Sequence, residues 1–507
     1  MSVIKGLIAP RFADSVQHLR WHVDKPGLTL ALALTLGACT TVDHVAAIRA
    51  MDDATVRREI STRFQYPPPR PVPARVDDQR AGRIADATYF AAFPDYDRSY
   101  SPRARAKAKR LALRLQADAG SLTRDQFTLR IAEIAALADN GHTTLFTFGQ
   151  KVPRIPVRFY LFADGLHVLD ADTAHTAMLG ARIDRIDGRR IDDIYRLIRR
   201  YRGGAEALRR NSLVPMLEAP GLLQAAGVAE AKDSLVVAGV LASGAPFERR
   251  LTAETSMPSI LWPTMGRLLF PGQLKGVATV LQGRDDLPLS LQQHDRVYWS
   301  HTLAPGGFYV RMLQNVGNPI AAFLKETLTQ IRKERPTFIV LDMRMNPGGD
   351  YTMTYAFARA LPEAAGDAPI YILTSPWTFS AAITTISALK EEGGTRVKIV
   401  GENVGDRLDF WAEGRPFLLP NSGHMIQFTA GRHVYNGPCN DIDQCFWLNY
   451  RYPVHVRTLR PDIAAPWTFA AYREARDPAL EAVLGLENIR AGSKTGRPGR
   501  ARTRTPG

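Results

Sequence analysis

The run Phe338-Ile339-Val340-Leu341-Asp342-Met343-Arg344-Met345-Asn346-Pro347-Gly348-Gly349 decides the fold class. Its first half is a short, continuous apolar stretch, the pattern of a strand covered on both faces. Its second half is a polar, glycine-rich turn, and helical spacing resumes over 351–361. Working outward, a helix is expected over 321–333, strands over 370–374 and 397–401, and a helix over 380–391. Strands alternating with helices predict an α/β architecture with helices packed on a central sheet.

Two of these junctions carry chemistry. Gly348 and Gly349 let the backbone come close to a ligand and turn N–H groups toward it, the requirement for holding a developing oxyanion. In Thr378-Phe379-Ser380-Ala381-Ala382, Ser380 stands where a strand gives way to a helix. There the helix dipole favours an alkoxide, and the Ala381 N–H adds an oxyanion donor. The plain alternative is that Ser380 only caps the helix.

The chain before this core reads differently. Residues 40–80, with Pro67-Pro68-Pro69 and Pro71-Val72-Pro73, have linker composition, and 81–150 have helical spacing with a capped start at Thr123…Gln126. Segment 151–240 is β-rich. It begins with a hairpin turning at Asp164-Gly165, followed by a strand, a turn at Asp187-Gly188 and a helix. The strand–turn–helix piece resembles the second half of a PDZ domain, and a non-binding β-rich spacer fits it equally well. The catalytic core is assigned to 241–489.

Composition narrows the function classes. The chain has 507 residues, 45% hydrophobic and 23% charged, enough for more than one domain. The net charge of +15 is spread out, and the basic stretch 490–507 is Gly/Pro/Ser/Thr-rich and expected to be disordered. No basic helix with interleaved aromatics supports nucleic-acid binding, so the excess reads as solvated surface. Lys25 precedes an apolar run ending in Leu36-Gly37-Ala38-Cys39, so 1–39 reads as a secretory signal. The ending resembles a bacterial lipobox, which implies acylation of Cys39. Thr40 in the next position then favours the outer membrane, with the chain facing the periplasm. Cys439 and Cys445 are expected to close a small disulfide loop in that oxidising compartment. No zinc set and no organic cofactor are indicated.

The ordered segments Asp342…Gly349, Thr378…Ala381, Val400-Gly401-Glu402, Pro461-Asp462-Ile463 and Asp477…Glu481 resemble the C-terminal processing (tail-specific) serine peptidases and their tricorn-like relatives. The resemblance spans roughly 130–490 and is weakest over 200–290. It implies a crotonase/ClpP-like catalytic core with an N-terminal helical region and a PDZ-like or β-rich insert, and it implies Ser380 as nucleophile. The best-known members use a lysine base shortly after Gly-Glu. Here that stretch reads Gly401-Glu402-Asn403-Val404-Gly405-Asp406-Arg407, and an arginine does not deprotonate. Asp139-Asn140-Gly141-His142-Thr143 instead resembles the segment of the histidine-using branch, which makes His142 the expected base. Glu402 is the expected third member, with Asp139 and Asp406 as other carboxylates able to orient the imidazole.

These readings point to a serine-type endopeptidase acting on extended or unfolded polypeptides in the cell envelope, anchored to the membrane by lipid. A catalytically inactive peptide- or ligand-binding lipoprotein of the same fold is the competing expectation.

Overall fold

The structure is a computed structural model. It describes residues 44–63, 71–145, 152–254, 262–272, 276–317, 319–439, 441 and 443–495. Cys39 and the expected signal segment lie outside the described residues.

The core is a six-stranded sheet in the order Ile463–Ala464, Val397–Gly401, Ile370–Thr374, Phe338–Asp342, Gly307–Met312, Tyr298–Leu303. The first five strands run parallel, and Tyr298–Leu303 pairs antiparallel at the edge. Helices Ile320–Glu334, Tyr355–Ala364 and Ala381–Gly393 make the crossovers that parallel pairing requires. Side chains alternate along Phe338–Asp342. Ile339 and Leu341 pack with Leu324, Ile331, Leu361 and Ile386 of those helices. Phe338 and Val340 pack with Ala479, Leu480 and Val483 from helix Pro478–Thr495. Both faces are covered, which is why the strand reads as an unbroken apolar run. The strands being parallel, the turns that follow Asp342, Thr374 and Gly401 all open at one edge of the sheet.

A second sheet has the order Val157–Phe162, Gly165–Asp172, Arg182–Ile186, Ser234–Val240, Pro246–Thr252. Asp187 and Gly188, both at positive φ, turn Arg182–Ile186 into Arg189–Arg190 as an Asp-Gly hairpin turn does. The β-rich unit reaches beyond its expected limit of 240. Pro246–Thr252 pairs with Ser234–Val240, and Val277–Thr279 pairs with Gly165–Asp172. The N-terminal helices Gln79–Phe90, Pro102–Asp118 and Arg124–Ala136 share one apolar core with this sheet and with Phe417, Leu419, Ile426 and Phe428.

Two further expectations are corrected. The stretch 40–80 is not wholly a linker, because it contains helices His44–Ala50 and Asp53–Arg63. Their Ile48 and Val56 are buried with Phe446, Trp447 and Tyr450. The tail set at 490–507 begins inside helix Pro478–Thr495. Cys439 and Cys445 are disulfide-bonded, with Cα atoms 5.9 Å apart. Among the described residues no helix is long and apolar enough to cross a membrane.

Candidate active site

Ser380 is the residue before helix Ala381–Gly393, at φ 56° and ψ −123°, a conformation that strains any residue with a Cβ. Its hydroxyl makes no capping bond to the helix. Ser380 Oγ instead lies 2.9 Å from His142 Nε2, across 238 residues of sequence. The strained turn aims the side chain off the helix axis into a cavity of about 560 Å³ lined by His142, Gly349, Ser380, Ala381, Phe410 and Glu413, among others.

The turn is held from beneath. Thr378 Oγ1 donates to the Met343 carbonyl at 2.9 Å and accepts the Ser375 N–H at 3.0 Å. The Phe379 N–H donates to the Asn346 carbonyl at 3.0 Å. A Cβ on Gly348 would stand 2.6 Å from Ser380 Cβ and 2.7 Å from the Ala381 nitrogen, so only glycine fits there.

The two glycines have different duties. The Gly348 N–H is already donated to Asn346 Oδ1 at 2.9 Å, so it is not available to an oxyanion. Asn346 is fixed in turn by Asn315, whose Oδ1 it meets at 2.7 Å, and Asn315 bonds the Ala381 carbonyl and Thr354 and Thr385. The N–H groups of Gly349 and Ala381 have no partner among the described residues, and both residues line the cavity beside Ser380. Gly349 is drawn to this place by a parallel bridge with Asn315.

His142 reaches the cavity from the loop after helix Arg124–Ala136. Asn140 clamps this loop to the strand Asp409–Ala412, donating from Nδ2 to the Trp411 carbonyl at 2.9 Å and accepting the Trp411 N–H at 3.2 Å. Thr143 donates to buried Asp97, which also takes the Thr429 N–H. Thr144–Leu145 then pairs with Met425–Gln427. The imidazole is stacked between Phe379, at 4.4 Å, and Phe410, at 5.3 Å. Burial, with His433 and the Arg202 cation nearby, holds its pKa well below the usual histidine value. The base is thus neutral near pH 7.

Nδ1 of His142 faces Asp406 Oδ2 at 3.4 Å, and neither atom has a hydrogen-bond partner in the described structure. Burial pushes Asp406 up to about 7, against the pull of Arg407 and of the buried Arg202. Glu402 is the carboxylate expected beside the imidazole, and the structure puts Asp406 there instead. Glu402 is partly buried and is raised to about 7 by burial, against the pull of the Trp467 backbone and of Arg344. Asp139 pairs with Arg209 and Arg407 on the surface. Gly405 brings Asp406 into place: its N–H bonds the Thr378 carbonyl at 2.8 Å, and a Cβ there would strike the Pro376 carbonyl at 2.3 Å.

Other motif residues build the frame. Arg344 forks to Asp342, at 2.6 Å, and to Asp477, at 2.7 Å, all three buried under Trp467. Tyr309 and Ser290 donate to these carboxylates. Asp462 accepts the Ile399 N–H at 2.8 Å and pairs with Lys390, which therefore points to the sheet edge. The sequence assigned no role to Asn315, Asn346 or Arg202. Asn346 alone had a local signal, its place just before Pro347-Gly348-Gly349.

No family model and no curated protein matches the chain. Among solved structures, a CPAF mutant matches at TM-score 0.54 and 12% identity, covering 83% of this chain and 99% of that one. Mature CPAF complexed with lactacystin matches at TM-score 0.50 and 12% identity, covering 82% and 98%. The photosystem II D1 C-terminal processing protease gives TM-score 0.33 at 15% identity, covering 77% and 93%. In fold, the chain is similar to the C-terminal processing peptidase CPAF over most of its length.

Proposed function

We propose that this chain is a serine-type endopeptidase that cleaves extended or unfolded polypeptides. The observation that carries the reading is the 2.9 Å approach of Ser380 Oγ to His142 Nε2 from a strained turn that leaves the hydroxyl free of the helix. Neutral His142 takes the hydroxyl proton at Nε2 as Oγ attacks the peptide carbonyl. Asp406 fixes the tautomer that carries the proton on Nδ1, and the imidazolium draws this carboxylate in as its charge forms. The N–H groups of Gly349 and Ala381 hold the tetrahedral oxyanion. The C–N bond breaks, His142 protonates the leaving amine, and a water repeats the sequence to release the acid and regenerate Ser380.

The fold similarity to CPAF supports a polypeptide substrate. Export, acylation at Cys39 and an outer-membrane position facing the periplasm belong to the same reading and rest on the signal-like segment ending at Cys39.

The test is labelling with a fluorophosphonate probe, together with casein cleavage by the chain beginning at Cys39. Wild type should label and cleave. Ser380→Ala should do neither, and His142→Ala should lose most of both while staying folded. Labelling that survives Ser380→Ala would remove Ser380 as nucleophile.

A further inference from the structure

Among the described residues, the cavity in front of Ser380 is lined by two carboxylates, Asp350 and Glu413, and by no lysine or arginine. Each has one engaged and one unpartnered oxygen among the described residues, but Asp350 is exposed whereas Glu413 is half-buried. Asp350 Oδ1 is committed to its own turn, accepting the Thr352 N–H at 2.8 Å and the Thr352 hydroxyl at 2.6 Å. Glu413 Oε1 meets His433 Nε2 at 3.0 Å, and its second oxygen has no partner among the described residues.

Glu413 is built into place. Its backbone is left-handed, at φ 50°, without being glycine, a strain that surrounding structure must hold. The Ala430 N–H pins the Glu413 carbonyl at 2.8 Å. His433 is fully buried, stacked on Phe410 at 4.8 Å and on Phe446 at 4.2 Å, with Nδ1 3.0 Å from the Tyr435 hydroxyl. The carboxylate therefore cannot turn away from the cavity without giving up a fixed partner. Arg432 is engaged by Asp409, and Arg407 by Asp139. Phe410, Ala412 and Val316 supply apolar wall in the same cavity. An apolar wall ending in a fixed anion suits a long aliphatic stem with a cationic head.

We infer that Glu413 is a specificity-determining residue: it receives the lysine or arginine side chain of a substrate residue seated beside the scissile bond. This rests on the peptidase reading of the same cavity. His433 is a positioning residue, acting through Glu413.

The experiment measures binding and cleavage separately. Two peptides differ only in carrying lysine or acetyl-lysine at one position. Fluorescence anisotropy with the full-length Ser380→Ala chain reads binding without turnover, and wild type reads kcat/KM. The lysine peptide should be favoured about tenfold in both. Glu413→Gln should bring the two peptides level in both readouts, and Glu413→Lys should reverse the preference toward a glutamate peptide. Equal binding of the lysine and acetyl-lysine peptides by Ser380→Ala would overturn the inference without any variant at 413 having to fold. Lysine-selective binding with no cleavage of either peptide by wild type would instead overturn the peptidase reading and leave Glu413 as a cation-recognition group.

Discussion

His142 Nδ1 and Asp406 Oδ2 face each other at 3.4 Å inside the protein, two polar atoms with no hydrogen-bond partner among the described residues. The gap is what a resting pair leaves when the histidine is neutral and no charge yet draws the carboxylate in. Proton transfer from Ser380 would turn it into a charge-assisted bond. The stored attraction is thus released only as the transition state forms, where it lowers the barrier.

The pair sets the pH profile. The active form has neutral His142 and ionised Asp406. Burial raises Asp406 to about 7 and depresses His142, so the first proton taken up on acidification belongs to the pair and titrates near 7. Activity should fall as pH drops through that value. Asp406→Asn should lower kcat roughly 10²- to 10⁴-fold. It should also move the remaining acid limb to lower pH, because His142 alone then titrates at its depressed value. A pH–rate series on both proteins checks this, and an unmoved limb would uncouple Asp406 from the base.

The core was legible in the sequence because its signals are local. The apolar run at Phe338–Asp342 and the Gly348-Gly349 turn each follow from neighbouring residues, as does the place of Ser380 before its helix. The choice between Glu402 and Asp406 was not legible. The two carboxylates sit four positions apart on one irregular segment, and the deciding contact is made by a loop some 260 residues earlier in the chain, that of His142. Nor was the difference between the Gly348 and Gly349 N–H groups, which Asn346 settles through a side chain. The helices hidden in 40–80 have a related cause: the sparse apolar residues Ile48, Met51 and Val56 find their partners, Phe446 and Trp447, far along the chain.

Gly348→Ala tests the closeness of the two turns. The added Cβ meets Ser380 Cβ at 2.6 Å and backbone atoms of Phe379 and Ala381, in a φ of 98° that disfavours alanine. The strain should cost about 1–3 kcal/mol of stability. Relief requires the Ser380 turn to shift, so fluorophosphonate labelling should fall by about 100-fold or more. Thermal unfolding measures the first effect and labelling rate the second. Near-normal labelling would mean that the turn is not positioned by this contact.

Arg344 should behave as a structural cation. Arg344→Ala leaves Asp342 and Asp477 buried and facing each other with no counter-charge, a loss of roughly 3–5 kcal/mol. Asp342→Asn with Asp477→Asn, made in the Arg344→Met background, removes all three charges and should recover much of that loss. Denaturant unfolding of the set gives the answer. A mild Arg344→Ala phenotype would show the triad to be wetter than its burial implies.

Stability should depend on pH away from the active site as well. Asp170 is held near 7 by burial in the second sheet, above its usual carboxyl value. The folded chain therefore keeps a proton that the unfolded chain releases near pH 4. Its contribution is complete below the unfolded pKa and is lost as pH rises through about 7. Each tenfold difference in proton affinity between the folded and unfolded chain is worth roughly 1.4 kcal/mol of that loss. Asp170→Asn keeps a neutral, hydrogen-bonding side chain at every pH. The difference in Tm between variant and wild type should then be small at pH 5 and move in favour of the variant by pH 8. Thermal unfolding across that range isolates the one group, since all other titrations are common to both proteins. A difference that stays constant from pH 5 to 8 would mean that Asp170 ionises in the fold as it does in water.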